Sequence, residues 1–151
     1  MCLFLHVIKR AVEDVINVIQ EVIIMLKADI GDIWLVLIPK VITSNNKTKI
    51  DLEKRPCLII DDGHGFIIEG NKDYLGLKIT SQNGKHRKKI NNWYELGLKN
   101  ESFVRIETPR KVEKGQLIHK IGSMSKDDLY IYLNELSNYI NTDIIDKLKS
   151  M

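Results

Sequence analysis

Two segments carry residue types able to act on a phosphodiester. Lys54-Arg55-Pro56-Cys57-Leu58-Ile59-Ile60 brings a guanidinium to the mouth of an apolar run, and Leu77-Lys78-Ile79-Thr80-Ser81 brings an ammonium and two hydroxyls. A guanidinium keeps its charge, and its planar donors match phosphate oxygens two at a time. Pro56 fixes its own φ and pushes Arg55 toward extended geometry, which places Arg55 at a strand mouth. Alternation sets Thr80 on one face with Lys78 and Gly76, and Ser81 on the other.

A third stretch, Asn83-Gly84-Lys85-His86-Arg87-Lys88-Lys89, holds the densest positive charge in the chain. As a loop beside a strand mouth it reads as a backbone-tracking arm for nucleic acid. Lys85, His86, Arg87 and Lys88, with Lys54, Lys78 and Ser81, are the candidate substrate contacts, and Trp93 and Tyr94 are candidate stacking rings. The plainer readings are a solvated charged face and a core tryptophan. Histidine is the natural proton carrier, and of His64, His86 and His119 the one placed nearest such a substrate is His86, although a bystander role is the default for each.

The elements that must position these groups follow from pattern. Residues 4–27 place Phe4, Ile8, Ala11, Val12, Val15, Ile19, Val22 and Leu26 on one face of an amphipathic helix. Its many β-branched residues lower its intrinsic propensity, so it needs a surface, either its own domain or a second copy, with a partner or membrane as alternatives. Ile33–Ile38 reads as a buried strand stopped by Pro39, and 41–53 as a polar, mobile loop. Further strands are expected at 55–60, 66–69, 74–81, 103–107 and 117–121, with a break at Thr108-Pro109-Arg110. Ser125-Lys126-Asp127-Asp128 resembles a capping box ahead of Leu129, Leu133, Leu136 and Ile140 at helical spacing. Short antiparallel strands closed by a helix make an α+β small barrel the natural architecture.

The 151 residues set an expectation of one core-forming body at 29–151, preceded by a helical extension at 1–28. Hydrophobic content of 44% against 28% charged residues excludes a disordered chain, and a net charge of +3 makes clustering, not total charge, the basis for any nucleic-acid reading. Cys2 and Cys57 form no disulfide framework or zinc spacing, and no ligand pattern calls for a metal or cofactor. Charges at Lys9, Arg10, Glu13, Asp14 and Glu21 interrupt the apolar N-terminus, which excludes a spanning helix; no signal peptide is legible, so the expected location is cytoplasmic. Met25 is a second candidate start.

Five blocks in order carry a family likeness: Gly31-Asp32-Ile33-Trp34, Lys54 to Ile59, Leu77 to Ser81, Ser102-Phe103-Val104-Arg105-Ile106, and Ile121-Gly122-Ser123-Met124-Ser125. Together they resemble the MazF/PemK family of toxin endoribonucleases over about 30–136. The resemblance implies an SH3-like barrel, a homodimer, metal-independent cleavage of single-stranded RNA and a cognate antitoxin. It places the catalytic pair on Arg55 and Thr80. Two features depart from the family pattern: 41–53 lacks the usual Gly and Gln before the Arg-Pro pair, and the N-terminal helix is additional. The alternatives are a catalytically silent barrel that binds nucleic acid or protein, and a gyrase inhibitor of the CcdB kind.

Overall fold

The computed structural model describes residues 2–63 and 73–151. Helix α1 (Cys2–Met25) precedes six strands: β1 (Asp32–Ser44), β2 (Lys47–Asp61), β3 (Tyr74–Thr80), β4 (Arg87–Ile90), β5 (Ser102–Val112) and β6 (Leu117–Ser123). Helix α2 (Lys126–Tyr139), a π-helical turn (Ile140–Ile145) and the short α3 (Asp146–Lys149) end the chain. The strands form one antiparallel sheet in the order β4-β5-β3-β2-β1-β6, a small barrel-like α+β fold with helices at both termini.

The continuous apolar runs of β1 and β2 follow from burial on both faces. Ile33, Leu58, Leu77, Ile79, Val104 and Ile106 pack with Leu129 and Tyr132 of α2 on one side. Trp34, Val36, Cys57, Ile59, Tyr74 and Val112 pack around Ala28 on the other. Successive residues of a strand point to opposite faces, so a strand covered on both sides has no polar alternation to show.

Four expectations change. Residues 41–53 are not a mobile loop: β1 and β2 continue as a hairpin through Val41↔Ile50 to Ser44↔Lys47. Asn45 and Asn46 form its two-residue turn with φ of 50° and 61°, the left-handed pair that matches strand twist and that Asn tolerates. Pro39 does not stop β1. Counting back from the closing pair Ser44–Lys47, an N–H at position 39 would point outward, where β6 pairing has already ended at Val36, so no ladder bond is lost. Thr108-Pro109-Arg110 likewise lies inside β5, which shifts register between its two pairings with β3 and bends there instead of ending. Finally, Arg87–Lys89 lie in β4, paired with β5, not in a loop.

Other expectations hold. Strand β3 follows its alternation, and Ser125 caps α2 by accepting the Asp128 N–H at 3.2 Å. The strand expected at 66–69 and the turn containing His64 fall outside the described residues. Helix α1 forms as expected, but every side chain from Cys2 to Glu21 is exposed, so this part of the helix does not pack on the body.

The foot of β1 is locked by Asp32, only 4% exposed. Its carboxylate accepts the Asp29 N–H at 2.9 Å, Trp34 Nε1 at 3.4 Å and Ser123 Oγ at 2.8 Å, and it pairs with Lys120 Nζ at 3.1 Å. Burial pushes this carboxyl up, yet the four donors, led by Asp29, hold it below its ordinary value. Gly31, just before it, has φ of +92°, and a Cβ there would stand 3.2 Å from the carbonyl oxygen of Met124, whose N–H donates to the Gly31 carbonyl at 2.8 Å. Asp32→Ala strands buried donors of β1 and β6 together and should cost about 2–4 kcal/mol in urea unfolding. A cost below about 0.5 kcal/mol, the range of ordinary surface changes, would show that β6 docks without this carboxylate.

Candidate functional site

Arg55 and Thr80 border the same cleft. The β2–β3 ladder runs Leu58↔Leu77 and Cys57↔Lys78 and ends there, and Arg55 and Thr80 each lie two residues beyond that last pair. Cross-strand partners share a face, which puts Arg55, Lys78 and Thr80 on the same side of the sheet. Pro56 ends the ladder at this point without losing a bond, because its missing N–H faces the side where β3 pairing begins only at Cys57.

A carboxylate that sequence reasoning passed over organises the cations. Glu53 lies two residues before Arg55, hence on the same face of β2, and its side chain is 17% exposed. It accepts Lys78 Nζ at 2.9 Å and Arg55 Nη2 at 3.2 Å, with Lys40 Nζ at 3.7 Å. The Lys78 hydrogen bond first, against the opposing effect of burial, and then Arg55 hold its carboxyl down at about 2. The signal for Glu53 was its spacing from Arg55, which becomes a shared face only once 47–53 is known to be a strand.

Arg55, Thr80 and Ser81 border a cleft of about 440 Å³, together with Ser102, His119 and Lys120. Consecutive residues of both strands line it, so it lies against the strand ends and not above one face. Thr80 Oγ1 accepts the Gln82 N–H at 3.3 Å, which leaves its own O–H to donate. His119 joins this cleft through β6, where it pairs across from Leu35.

The remaining sequence candidates separate. Lys54 alternates to the face opposite Arg55 and is exposed. Lys85, His86, Arg87 and Lys88 border a second cleft of about 270 Å³ against the C-terminal helices. There His86 Nε2 meets Asp143 Oδ2 at 3.0 Å, with its ring edge-on to Tyr139 at 4.8 Å. Lys88 pairs with Glu135 at 3.5 Å, and Arg87 Nη1 donates to the carbonyls of Gln82 at 2.9 Å and Asn83 at 3.4 Å. Much of that charge therefore holds the segment and the C-terminus in place. Trp93 packs against the core, while Tyr94 is 79% exposed.

Fold and site together define a small barrel-like α+β protein with a cleft at the ends of its central strands, bordered by Arg55, Thr80, Ser81 and His119. Residues 29–140 match the family of PemK-like, MazF-like toxins of type II toxin-antitoxin systems, and the chain belongs to that family. Among curated proteins no relative matches it.

Because the Glu53 carboxyl is held below its usual 4.5, the stability it contributes is complete above that pH and is lost as pH falls toward about 2. Allowing for solvent screening at the half-exposed Arg55, this amounts to about 1–2 kcal/mol. Acid titration of the unfolding free energy should show that loss in the wild type and a flatter limb in Glu53→Gln. Superimposable limbs would mean that the cluster does not couple to folding.

Proposed function

We propose that this type II toxin is a metal-independent endoribonuclease that cuts single-stranded RNA at a site built on Arg55 and Thr80. The observation that supports the reading is that two residues 25 positions apart border one cleft and alternate to the face that also carries Lys78. RNA supplies its own nucleophile. A 2′-OH gives up its proton and attacks the adjacent phosphorus in line, the P–O5′ bond breaks, the departing 5′-oxygen takes a proton, and a 2′,3′-cyclic phosphate remains.

The protein then has to hold the strand in line, move two protons and stabilise charge on the phosphoryl oxygens. Arg55 clamps the phosphate, the Thr80 hydroxyl donates to a nonbridging oxygen, and Lys78 adds positive charge. Arg55 is a poor base, since a guanidinium does not readily give up its proton. His119, which borders the same cleft, is the imidazole placed to carry protons, whereas His86 is engaged with Asp143. Glu53 keeps Arg55 and Lys78 extended over the site, and a phosphate must compete with it for them. The family implies an antitoxin as protein partner. The finer assignment extends to a homodimer acting in the cytoplasm, in keeping with the described helices, none of which is long and apolar enough to cross a membrane.

The test is purified protein with a long single-stranded RNA in EDTA. Wild type should give discrete cuts with 2′,3′-cyclic phosphate ends. Arg55→Ala should lower the rate by about 10²–10³, the effect of losing one preorganised transition-state donor, and Thr80→Ala should lower it severely too. Cutting that survives both changes overturns the assignment of the site. RNA retained by all three proteins without any cutting would identify a binding module.

A further inference from the structure

The short segment that joins Thr80 to β4 is held from one residue, Arg87. This arginine opens β4, where it pairs with Arg105 of β5, and the carbonyl of the preceding His86 accepts the Ile106 N–H at 2.9 Å. The Arg87 side chain is therefore mounted on the sheet. From there its Nη1 donates to the carbonyls of Gln82 at 2.9 Å and Asn83 at 3.4 Å, while its backbone N–H donates to the Gly84 carbonyl at 3.3 Å. Two successive carbonyls meeting one nitrogen fix the turn by which the chain leaves β3.

Gly84 shows how closely the guanidinium lies on this turn. A Cβ there would stand 3.1 Å from Arg87 Cδ and Nε and 3.3 Å from Cζ, tighter than ordinary van der Waals contact. The φ of Gly84 lies outside the left-handed region, so the backbone does not call for glycine at this position. The close approach of Arg87 does.

Thr80 is tied to this clamp through a single residue. Its Oγ1 accepts the Gln82 N–H at 3.3 Å, and the Gln82 carbonyl is the one that Arg87 holds at 2.9 Å. A hydroxyl that accepts from a fixed N–H has its own O–H confined to fewer directions. At 3.3 Å that bond is long, so it depends on Gln82 staying where Arg87 holds it. We propose that Arg87, read from sequence as a substrate contact, is a positioning residue for Thr80: it holds the turn so that the Thr80 O–H serves the Arg55 cleft, and it does not itself bind RNA phosphates. The inference rests on the assignment of Thr80 to RNA cleavage.

Two substitutions separate positioning from charge. Arg87→Gln removes both the clamp and the cation, whereas Gly84→Ala keeps the cation and pushes it off the turn with a methyl group. With tryptophan emission confirming that both variants are folded, each should lower kcat on a single-stranded RNA by about 10–10² and leave KM within about twofold. The salt dependence of RNA binding should match the wild type in both. A raised KM with a salt slope lowered by about 0.7 in Arg87→Gln, and wild-type kcat in Gly84→Ala, would make Arg87 a phosphate contact and overturn the proposal. NMR couplings across Thr80 χ1, measured without RNA, read the clamp independently of activity: one rotamer in the wild type and averaging in both variants. A single unchanged rotamer in both variants overturns the proposal. Averaging in both variants of a wild type that cuts no RNA would uphold the clamp and overturn the cleavage reading alone.

Discussion

The twelve-pair ladder between β1 and β2 is the constraint on which the rest of the molecule depends. It gives both strands two covered faces, so that Ile33 and Leu58 face one core while Trp34, Val36 and Cys57 face the other. It also decides which neighbours Arg55 has. With Ile38 across from Glu53 and Val36 across from Arg55, both charged side chains leave the sheet where the second core thins out, so their heads reach water while their stems lie on apolar surface. A slip of one residue would turn Arg55 into the other core and Pro56 outward, which burial on both faces forbids.

Electrostatically the site is held closer to neutrality than its lysines and arginine imply. Glu53 is shared by Lys78, Arg55 and Lys40, and a carboxylate held down at about 2 stays ionised through the working pH range. Such an arrangement holds flexible cations in place and lowers the entropy lost when a phosphate arrives, at the cost of competing with that phosphate. Among these groups Arg55 and Lys40 remain about half exposed, so the cluster can open without unpacking the core.

Much of the fold was legible because burial leaves a pattern. Strand β3 alternates, the apolar run after Pro56 is a buried stretch of β2, Ser125 caps α2, and the five family blocks fall in order, although β2 begins at Lys47 and not at the proline. The hairpin at 41–53 was not legible for the same physical reason: Val41, Ile50 and Leu52 are exposed there, and with no buried face the sequence carries no alternation to read. Its one signal was Asn45-Asn46, a turn pair compatible with left-handed backbone. The choice of Arg55 and Thr80 as candidates came through resemblance and residue type, whereas Glu53 and the cleft position of His119 depend on how the strands pair. The basic stretch misled because charge density does not reveal partners, and His86 and Lys88 find theirs on the C-terminal helices.

The isolation of α1 follows from how completely the body closes itself. One core is capped by Leu129 and Tyr132 of α2, and the other by Tyr74, Val112 and Leu117 around Ala28, so neither sheet face remains to receive a further helix. The junction is nevertheless firm: Ala28 is fully buried and its N–H donates to the Tyr74 hydroxyl at 3.2 Å. Leu26 packs on the same cluster and the Gly31 N–H donates to the Ile59 carbonyl at 2.8 Å, which ties the segment after the helix to β3 at one end and to β2 at the other. A chain held this firmly just after an exposed apolar helix presents the span from Cys2 to Glu21 outward from the body.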